Sequence, residues 1–155
     1  MTTHTKKIAA VALSGGIDSS VTALLLQEKG YHVIGITGRM VDSSATDTIC
    51  ENAKKVADEL NIPHHILDVT KSFRQNVIKY FEDAYISGET PNPCIVCNQH
   101  IKWGEIFNYA TETLGADVFA NLFRLRRVCH FACYADYAVA FFLQQKSGNG
   151  AVNSA

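Results

Sequence analysis

The chain has 155 residues, of which 47% are hydrophobic and 19% are charged, and its formal net charge is -1. This size and composition are typical of one soluble globular domain, and they exclude a collagen, a coiled coil and a disordered tail. Because 14 basic residues stand against 15 acidic ones, a nucleic-acid partner would have to be bound by a local surface patch, not by the net charge.

The first three predicted elements are a strand, a helix and a second strand. Apolar residues fill Ile8 to Leu13, which is the pattern of a strand buried on both faces. Helical spacing of apolar residues then runs from Asp18 to Lys29, and Gly30 supplies the left-handed residue that ends a helix. Tyr31 to Thr37 is β-branched and apolar, which predicts the second strand.

The next elements repeat this alternation. A polar loop is predicted at Val41 to Thr46, followed by a helix that ends before Pro63, since proline disfavours helical geometry in the residue that precedes it. His64 to Val69 is predicted to be the third strand and Ser72 to Ile86 the third helix. The apolar stripe of the second helix comprises Ile49, Ala53, Val56 and Leu60. The predicted stripe of the third helix comprises Phe73, Val77, Phe81 and Tyr85.

The last predicted elements complete an α/β pattern. Ser87 to Asn98 is predicted to be a loop. Ile101 to Leu114 is predicted to be a fourth helix, which Gly115 ends, and Ala116 to Ala120 a fourth strand. Strands that alternate with helices of this length predict a doubly wound, mostly parallel sheet. In such folds, ligands bind at the carboxyl ends of the strands.

A glycine-rich turn joins the first strand to the first helix. Residues 14–20 read S-G-G-I-D-S-S. Consecutive glycines let backbone N–H groups converge, and the helix N-terminus adds a positive partial charge, so the turn suits an anion. The turn lacks the Gly-Lys-Ser/Thr ending of a Walker A loop, and it does not read G-x-G-x-x-G. The alternative is a tight turn that binds nothing.

This turn resembles the Ser-Gly-Gly-x-Asp-Ser signature of the PP-loop ATP pyrophosphatases, which have an adenine nucleotide alpha hydrolase-like fold. The resemblance implies ATP and Mg²⁺ as cofactors, with Asp18 orienting the loop or the Mg²⁺. It also implies that Gly38 or Met40, at the end of the second strand, lies beside the adenine. The nucleotide-binding residues implied in the loop are Ala12, Leu13, Ser14, Gly15, Gly16, Ile17, Asp18 and Ser19.

The second predicted loop carries a C-x-x-C pair, Cys94 and Cys97. A thiol beside a helix N-terminus has a lowered pKa, which favours the thiolate nucleophile. The alternative is metal ligation, either of zinc together with Cys129 and Cys133 or of an iron–sulfur cluster with a third ligand. Cys50, on the apolar face of the second helix, is predicted to be a core residue.

Residues 88–104 read G-E-T-P-N-P-C-I-V-C-N-Q-H-I-K-W-G, and together with the glycine-rich turn they resemble the tRNA-specific 2-thiouridylases, the MnmA family. Trp103 stands where the family has Phe. The resemblance implies a sulfurtransferase that uses ATP to adenylate the C2 oxygen of the wobble uridine of tRNA and then replaces that oxygen with sulfur. By this resemblance Cys97 lies at the nucleophile position and Cys94 at a position where relatives have Asp or Cys. The implied partners are tRNA and a sulfur-carrier protein that delivers persulfide sulfur.

Two alternatives to this function remain open at the level of the sequence. One is a PP-loop enzyme that acts on another acceptor, and the other is an inactive nucleotide-binding module. Two smaller features do not decide between them. His64 and His65 are predicted to be ordinary histidines with satisfied hydrogen bonds at the start of a strand. Lys102 either contacts a tRNA phosphate or is solvated.

The resemblance ends abruptly near residue 120. The family continues with a Thr-Gly-His-Tyr-Ala-Arg run, whereas residues 121–127 read N-L-F-R-L-R-R. The charge changes at the same place, because residues 1–120 hold 10 Lys and Arg against 14 Asp and Glu, and residues 121–155 hold 4 against 1. We therefore predict a PP-loop ATP-binding catalytic domain at 1–120 and a divergent tail at 121–155, produced by truncation or an out-of-register reading frame. The alternative is a variant whose tail arginines bind RNA phosphate.

The polar N-terminal residues and the short length of the apolar runs predict a cytoplasmic protein. Met1 to Lys7 is polar, and the apolar run that follows is too short for a secretory signal. The longest weakly charged run, Val128 to Leu143, is shorter than the ~18 to 20 residues of a membrane-spanning helix. We therefore expect no contact with a membrane.

Overall fold

The structure is a computed structural model, and it describes residues 7–121. Its centre is a sheet of four strands, and every neighbouring pair of strands is parallel. The order in the sheet is β3-β2-β1-β4. The strands are β1 (Ile8–Ala12), β2 (His32–Arg39), β3 (His64–Asp68) and β4 (Val118–Ala120).

Four helical segments connect the strands. The first two are regular α-helices, α1 (Ile17–Glu28) and α2 (Ser44–Glu59). Helix α3 spans residues 70–86 and consists of α-helical Thr70–Phe73, π-helical Arg74–Ile78 and α-helical Lys79–Ile86. Helix α4 spans residues 93–113 and consists of α-helical Pro93–Cys97, π-helical Asn98–Ile106, a short α-helical link and π-helical Tyr109–Thr113.

The sheet is covered by helices on both faces. Side chains of successive strand residues point to opposite faces, so Ala9 and Val11 pack in one core with α1 and α2, while Ala10 packs in the other. The second core includes Phe119 of β4, which is 1% exposed, and Ile101 of α4, which is fully buried. The prediction of a doubly wound α/β fold with a parallel sheet is therefore confirmed.

The predicted apolar stripe of α3 is wrong in its second half. Val77 is buried as predicted, but Phe81 is 42% exposed and Tyr85 is 71% exposed, and their rings stack on each other 5.9 Å apart. Ala84 is buried in their place. The prediction assumed 3.6 residues per turn throughout, whereas the π-helical turn at Arg74–Ile78 holds more residues and rotates the following positions away from the sheet. On α2, Ile49 is likewise 46% exposed, although Ala53 of the same predicted stripe is fully buried.

The predicted loop at Ser87 to Asn98 is also too long, because α4 begins at Pro93. Asn92 caps the helix, since its side-chain oxygen accepts a hydrogen bond from the Ile95 N–H at 3.4 Å. Pro93 occupies the first helical position, where its missing N–H costs no hydrogen bond and its fixed φ suits the helix. Both Cys94 and Cys97 therefore lie on the helix and not in the loop.

None of the helices within residues 7–121 combines the length and the hydropathy that crossing a membrane requires. The apolar run from Val128 to Leu143 lies outside the described residues.

Replacement of Phe119 by Ala tests the core. We expect Phe119→Ala to lower the free energy of unfolding by about 3 to 5 kcal/mol, because the ring is fully buried between β4 and α4. Phe81→Ala is the matched control, and we expect it to cost about 1 kcal/mol or less because the ring is largely exposed. Urea unfolding of both variants measures the difference. Equal losses would contradict the assignment of the second core.

Candidate functional site

A large cavity of the described residues lies where the strand order reverses. Strands β2 and β3 follow β1 on one side, and β4 lies on its other side. A cavity of about 720 Å³ opens at the carboxyl ends of these strands, between the end of β1, the end of β2 and Asn121, which follows β4. Open α/β sheets bind ligands at such a reversal point, because the loops diverge there and leave a crevice.

The predicted nucleotide-binding residues lie together at this cavity, with one exception. Nine of the ten line it: Ala12, Leu13, Ser14, Gly16, Ile17, Asp18, Ser19, Gly38 and Met40. Gly15 faces α2 instead. A Cβ added to Gly15 would lie 2.6 Å from Asn52 Cβ and 2.9 Å from the backbone nitrogen of Ala53, and the φ angle of Gly15 is +73°. Gly15 therefore allows the loop to pack directly on α2.

The loop presents the N-terminus of α1 to the cavity. Gly16 is the N-cap residue and offers no side-chain acceptor to the first turn. The loop is ordered by its own serines, since Ser19 Oγ donates to the Gly16 carbonyl at 3.0 Å and Ser20 Oγ donates to the same carbonyl at 2.9 Å. The free N–H groups of the first turn, together with the positive end of the helix dipole, form an environment that suits a phosphate group.

A hydrogen-bonded chain supports the loop from below. Thr37 Oγ1 donates to the Leu13 carbonyl at 2.8 Å, and His64 Nε2 lies 2.8 Å from the same hydroxyl oxygen. Because the single hydroxyl proton of Thr37 is used on Leu13, His64 Nε2 must carry a proton and donate it to Thr37. Burial lowers the pKa of His64, and the charge of nearby Asp58 partly opposes this. His64 is thus a satisfied strand histidine as predicted, but its support of the loop was not foreseen.

Further side chains line the cavity without having been predicted. They are Ile36, Thr37, Val41, Thr46, Ile49, Phe73, Lys102, Ile106 and Asn121. Ile106 of α4 approaches β2 so closely that a Cβ added to Gly38 would lie 2.8 Å from Ile106 Cδ1. Ile49 of α2 also lines the cavity, which accounts for the partial exposure of its side chain. The sequence carries no motif for these contacts, which depend on how α2 and α4 pack on the sheet.

The two cysteines of the C-x-x-C pair differ in their surroundings. Cys94 is exposed, whereas Cys97 is 9% exposed and packs in the second core beside Val77 and Ile101. Neither cysteine lines the cavity. The expectation of a lowered thiol pKa is wrong for Cys97, because burial raises its pKa, although Lys102 acts in the opposite direction. Cys97 is the fifth residue of α4, beyond the first turn in which a helix dipole acts most strongly.

The described residues do not form a complete metal site around this pair. Within residues 7–121, no group of three or more His, Cys, Asp or Glu side chains is arranged to hold a metal ion. A zinc site needs four ligands and an iron–sulfur cluster at least three, so Cys94 and Cys97 do not suffice. Cys129 and Cys133, the other predicted zinc ligands, lie outside the described residues. Cys50 is buried, which confirms its predicted place in the core.

The tRNA methyl transferase HUP domain family matches residues 6–132. The chain belongs to this family. It is 47% identical over 129 residues to the tRNA-specific 2-thiouridylase MnmA of Desulfitobacterium hafniense, which covers 78% of the chain and 35% of that relative. It is 48% identical over 120 residues to MnmA 2 of Clostridium botulinum, which covers 75% of the chain and 34% of the relative. The chain thus spans about a third of the length of these curated relatives, and the resemblance to the MnmA family is confirmed.

Solved structures agree with the fold. The chain is similar to the U34-tRNA thiolase NcsA of Methanococcus maripaludis with its [4Fe-4S] cluster, with a TM-score of 0.53, 25% identity and coverage of 74% of this chain and 37% of that one. It also shares its fold with a predicted tRNA methyltransferase subunit of Methanocaldococcus jannaschii, with a TM-score of 0.51, 20% identity and coverage of 80% of this chain and 58% of that one.

Two glycine variants test the geometry of the loop. We expect Gly15→Ala to lower the free energy of unfolding by 1 kcal/mol or more, since ~1 kcal/mol is typical for a left-handed residue and the new Cβ would also collide with α2. Gly16→Ala is the matched control, because its φ is -88° and the nearest atom to an added Cβ is Ser14 Oγ at 3.4 Å. Urea unfolding compares the two. A larger loss for Gly16→Ala would contradict the described turn.

The pH dependence of alkylation tests the environment of Cys97. Because burial raises its pKa, we expect iodoacetamide to modify Cys97 in the folded chain with a pH midpoint above that of the same cysteine in the urea-unfolded chain, measured on its peptide by mass spectrometry. Lys102→Met removes the opposing positive charge, so it should move the midpoint of folded Cys97 to still higher pH. Lys55→Met, on the exposed face of α2, should leave it unchanged. A midpoint for folded Cys97 below that of the unfolded chain would refute this description.

Proposed function

We propose that this chain carries the ATP-binding and thiol-bearing part of a tRNA 2-thiouridylase, an enzyme of ATP-dependent tRNA thiolation. The observation that carries the proposal is the cavity itself. It is lined by nine of the ten predicted nucleotide-binding residues and by Lys102 and Ile106 of α4, the helix that also bears Cys94 and Cys97. A nucleotide bound at the loop would therefore lie next to the element that holds the thiols.

ATP is the proposed ligand of the cavity. The backbone of residues 14–19 and the α1 N-terminus would hold its phosphates, as the loop geometry suits an anion. Asp18 lies in the first turn of α1 and lines the cavity, so its carboxylate would hold the Mg²⁺ of the nucleotide. Gly38 and Met40 would lie beside the adenine. Mg²⁺ would supply neutralisation of the charge that develops on the leaving pyrophosphate.

The proposed reaction uses ATP to make a poor leaving group into a good one. The C2 oxygen of the wobble uridine attacks the α-phosphorus, and pyrophosphate leaves. The terminal sulfur of a persulfide on Cys97 then adds at C2, and AMP leaves with the former carbonyl oxygen. A second thiol attacks the Cys97 Sγ, the S–S bond of the persulfide breaks, and a disulfide forms while the outer sulfur stays on C2. The loop accounts for the first step, since donors aimed at the phosphates stabilise the charge that accumulates on them.

Sulfur transfer is assigned to the C-x-x-C pair. We propose Cys97 as the nucleophile that carries sulfur and Cys94 as an accessory residue, because these positions match the motif of the thiouridylases. The partners would be tRNA and a sulfur-carrier protein that supplies persulfide sulfur, and the compartment the cytoplasm. A mechanism with a metal ion at these two cysteines would need further ligands from outside residues 7–121.

The domain division stays a proposal of its own. Residues 1–120 would form the PP-loop catalytic domain, and residues 121–155 the divergent tail. The family match ends at residue 132.

Pyrophosphate exchange tests the proposed function. With the full chain, ATP and Mg²⁺, we expect exchange of radiolabelled pyrophosphate into ATP that depends on tRNA bearing a wobble uridine. Asp18→Asn should weaken the binding of Mg-ATP about tenfold, because one charged ligand of the ion is lost. Cys97→Ser should keep the exchange and lose thiolation.

The competing functions give different results in the same assay. Exchange that depends on an acceptor other than tRNA would replace the thiolase with another PP-loop enzyme. Binding of ATP without any exchange would favour a nucleotide-binding module, and no binding of ATP would overturn the proposal altogether.

A further inference from the structure

One positive charge lies in the cavity without a role in the nucleotide motif. Among the residues of 7–121 that line the cavity, only two are charged, Asp18 and Lys102. The nucleotide loop itself has no lysine, in contrast to the Walker A loop, in which a lysine reaches the phosphates. An ATP molecule in this cavity would bring several negative charges to a loop that offers only backbone N–H groups and hydroxyls.

The position of Lys102 is set by its helix. Its neighbour Ile101 is fully buried, and Ile106 is 3% exposed and lies against Gly38 at the end of β2. These contacts hold α4 against the end of β2, and Lys102 lines the same cavity as the glycine-rich loop. The residue is partly buried.

The ammonium group of Lys102 has no carboxylate partner within the described part of the chain. The ion pairs found there both belong to Arg39, which contacts Asp42 and Asp47. Glu105, one turn further along α4, does not pair with Lys102. A lysine without a counter-ion that lines a cavity favours an anionic ligand, because the anion accepts a charge-assisted hydrogen bond from the ammonium group.

We propose that Lys102 is the cation of the nucleotide site and binds the phosphates of ATP together with the loop. The inference rests on the proposed function, since it takes ATP as the ligand of the cavity, and it adds a binding residue that the nucleotide motif does not contain. Lys102 thereby takes the place of the lysine that the loop lacks. Helix α4 thereby contributes both the cation of the cavity and the thiol of Cys97.

Binding measurements with the full chain test this role. We expect Lys102→Met to weaken the binding of ATP about tenfold or more, as expected for the loss of a charge-assisted hydrogen bond, and to leave the binding of adenosine unchanged, since adenosine carries no phosphate. Lys102→Arg keeps the charge and should restore most of the affinity for ATP. Lys55→Met, a lysine on the exposed face of α2, is the matched control and should bind ATP like the unchanged chain.

The outcomes separate this inference from the proposed function. If the unchanged chain does not bind ATP, the proposed function fails and this inference with it. If the unchanged chain binds ATP and Lys102→Met binds it equally well, only the inference is overturned. Weakened binding of tRNA with unchanged binding of ATP would assign Lys102 to an RNA phosphate and would also overturn it. Lys102→Gln repeats the comparison with a polar side chain, and urea unfolding of each variant verifies that the fold is retained.

Discussion

The close approach of the glycine-rich loop to α2 is the constraint on which the site depends. Gly15 lies so near the Asn52 Cβ and the backbone of Ala53 that no larger residue fits without moving the helix. This contact, together with the left-handed turn at the same residue, directs the chain from β1 into α1 with the helix N-terminus facing the cavity. The geometry of the loop thus follows from a packing contact with α2, made by a residue that does not line the cavity.

Much of the fold could be predicted from local patterns, and the exceptions share a cause. The strands were predicted to within one or two residues, because β-branched and apolar runs between glycine and proline signals leave few alternatives. The buried face of α3 and the start of α4 were predicted wrongly. Phe81 and Tyr85 depend on a π-helical turn, and the early start of α4 depends on the cap by Asn92. Neither changes the hydrophobic pattern on which the prediction rests.

The candidate site divides in the same way. Nine of the cavity residues could be named from the sequence, because most of them are consecutive residues of one glycine-rich turn. The cavity residues outside this turn could not be predicted. Ile49, Phe73 and Lys102, for example, come from three different helices and meet only after the sheet is formed. Cys97 shows the limit most clearly. Its place beside a predicted helix N-terminus suggested a lowered thiol pKa, but burial in the second core raises that pKa.

The hydrogen-bonded chain from His64 through Thr37 to Leu13 has a consequence for the energetics of binding. His64 lies in β3, Thr37 lies in β2 and Leu13 directly follows β1. The folded sheet alone therefore holds the base of the loop in one conformation. The entropy of ordering these residues is therefore lost during folding and not when a ligand arrives. We therefore expect a ligand in this cavity to cause little rearrangement at the base of the loop.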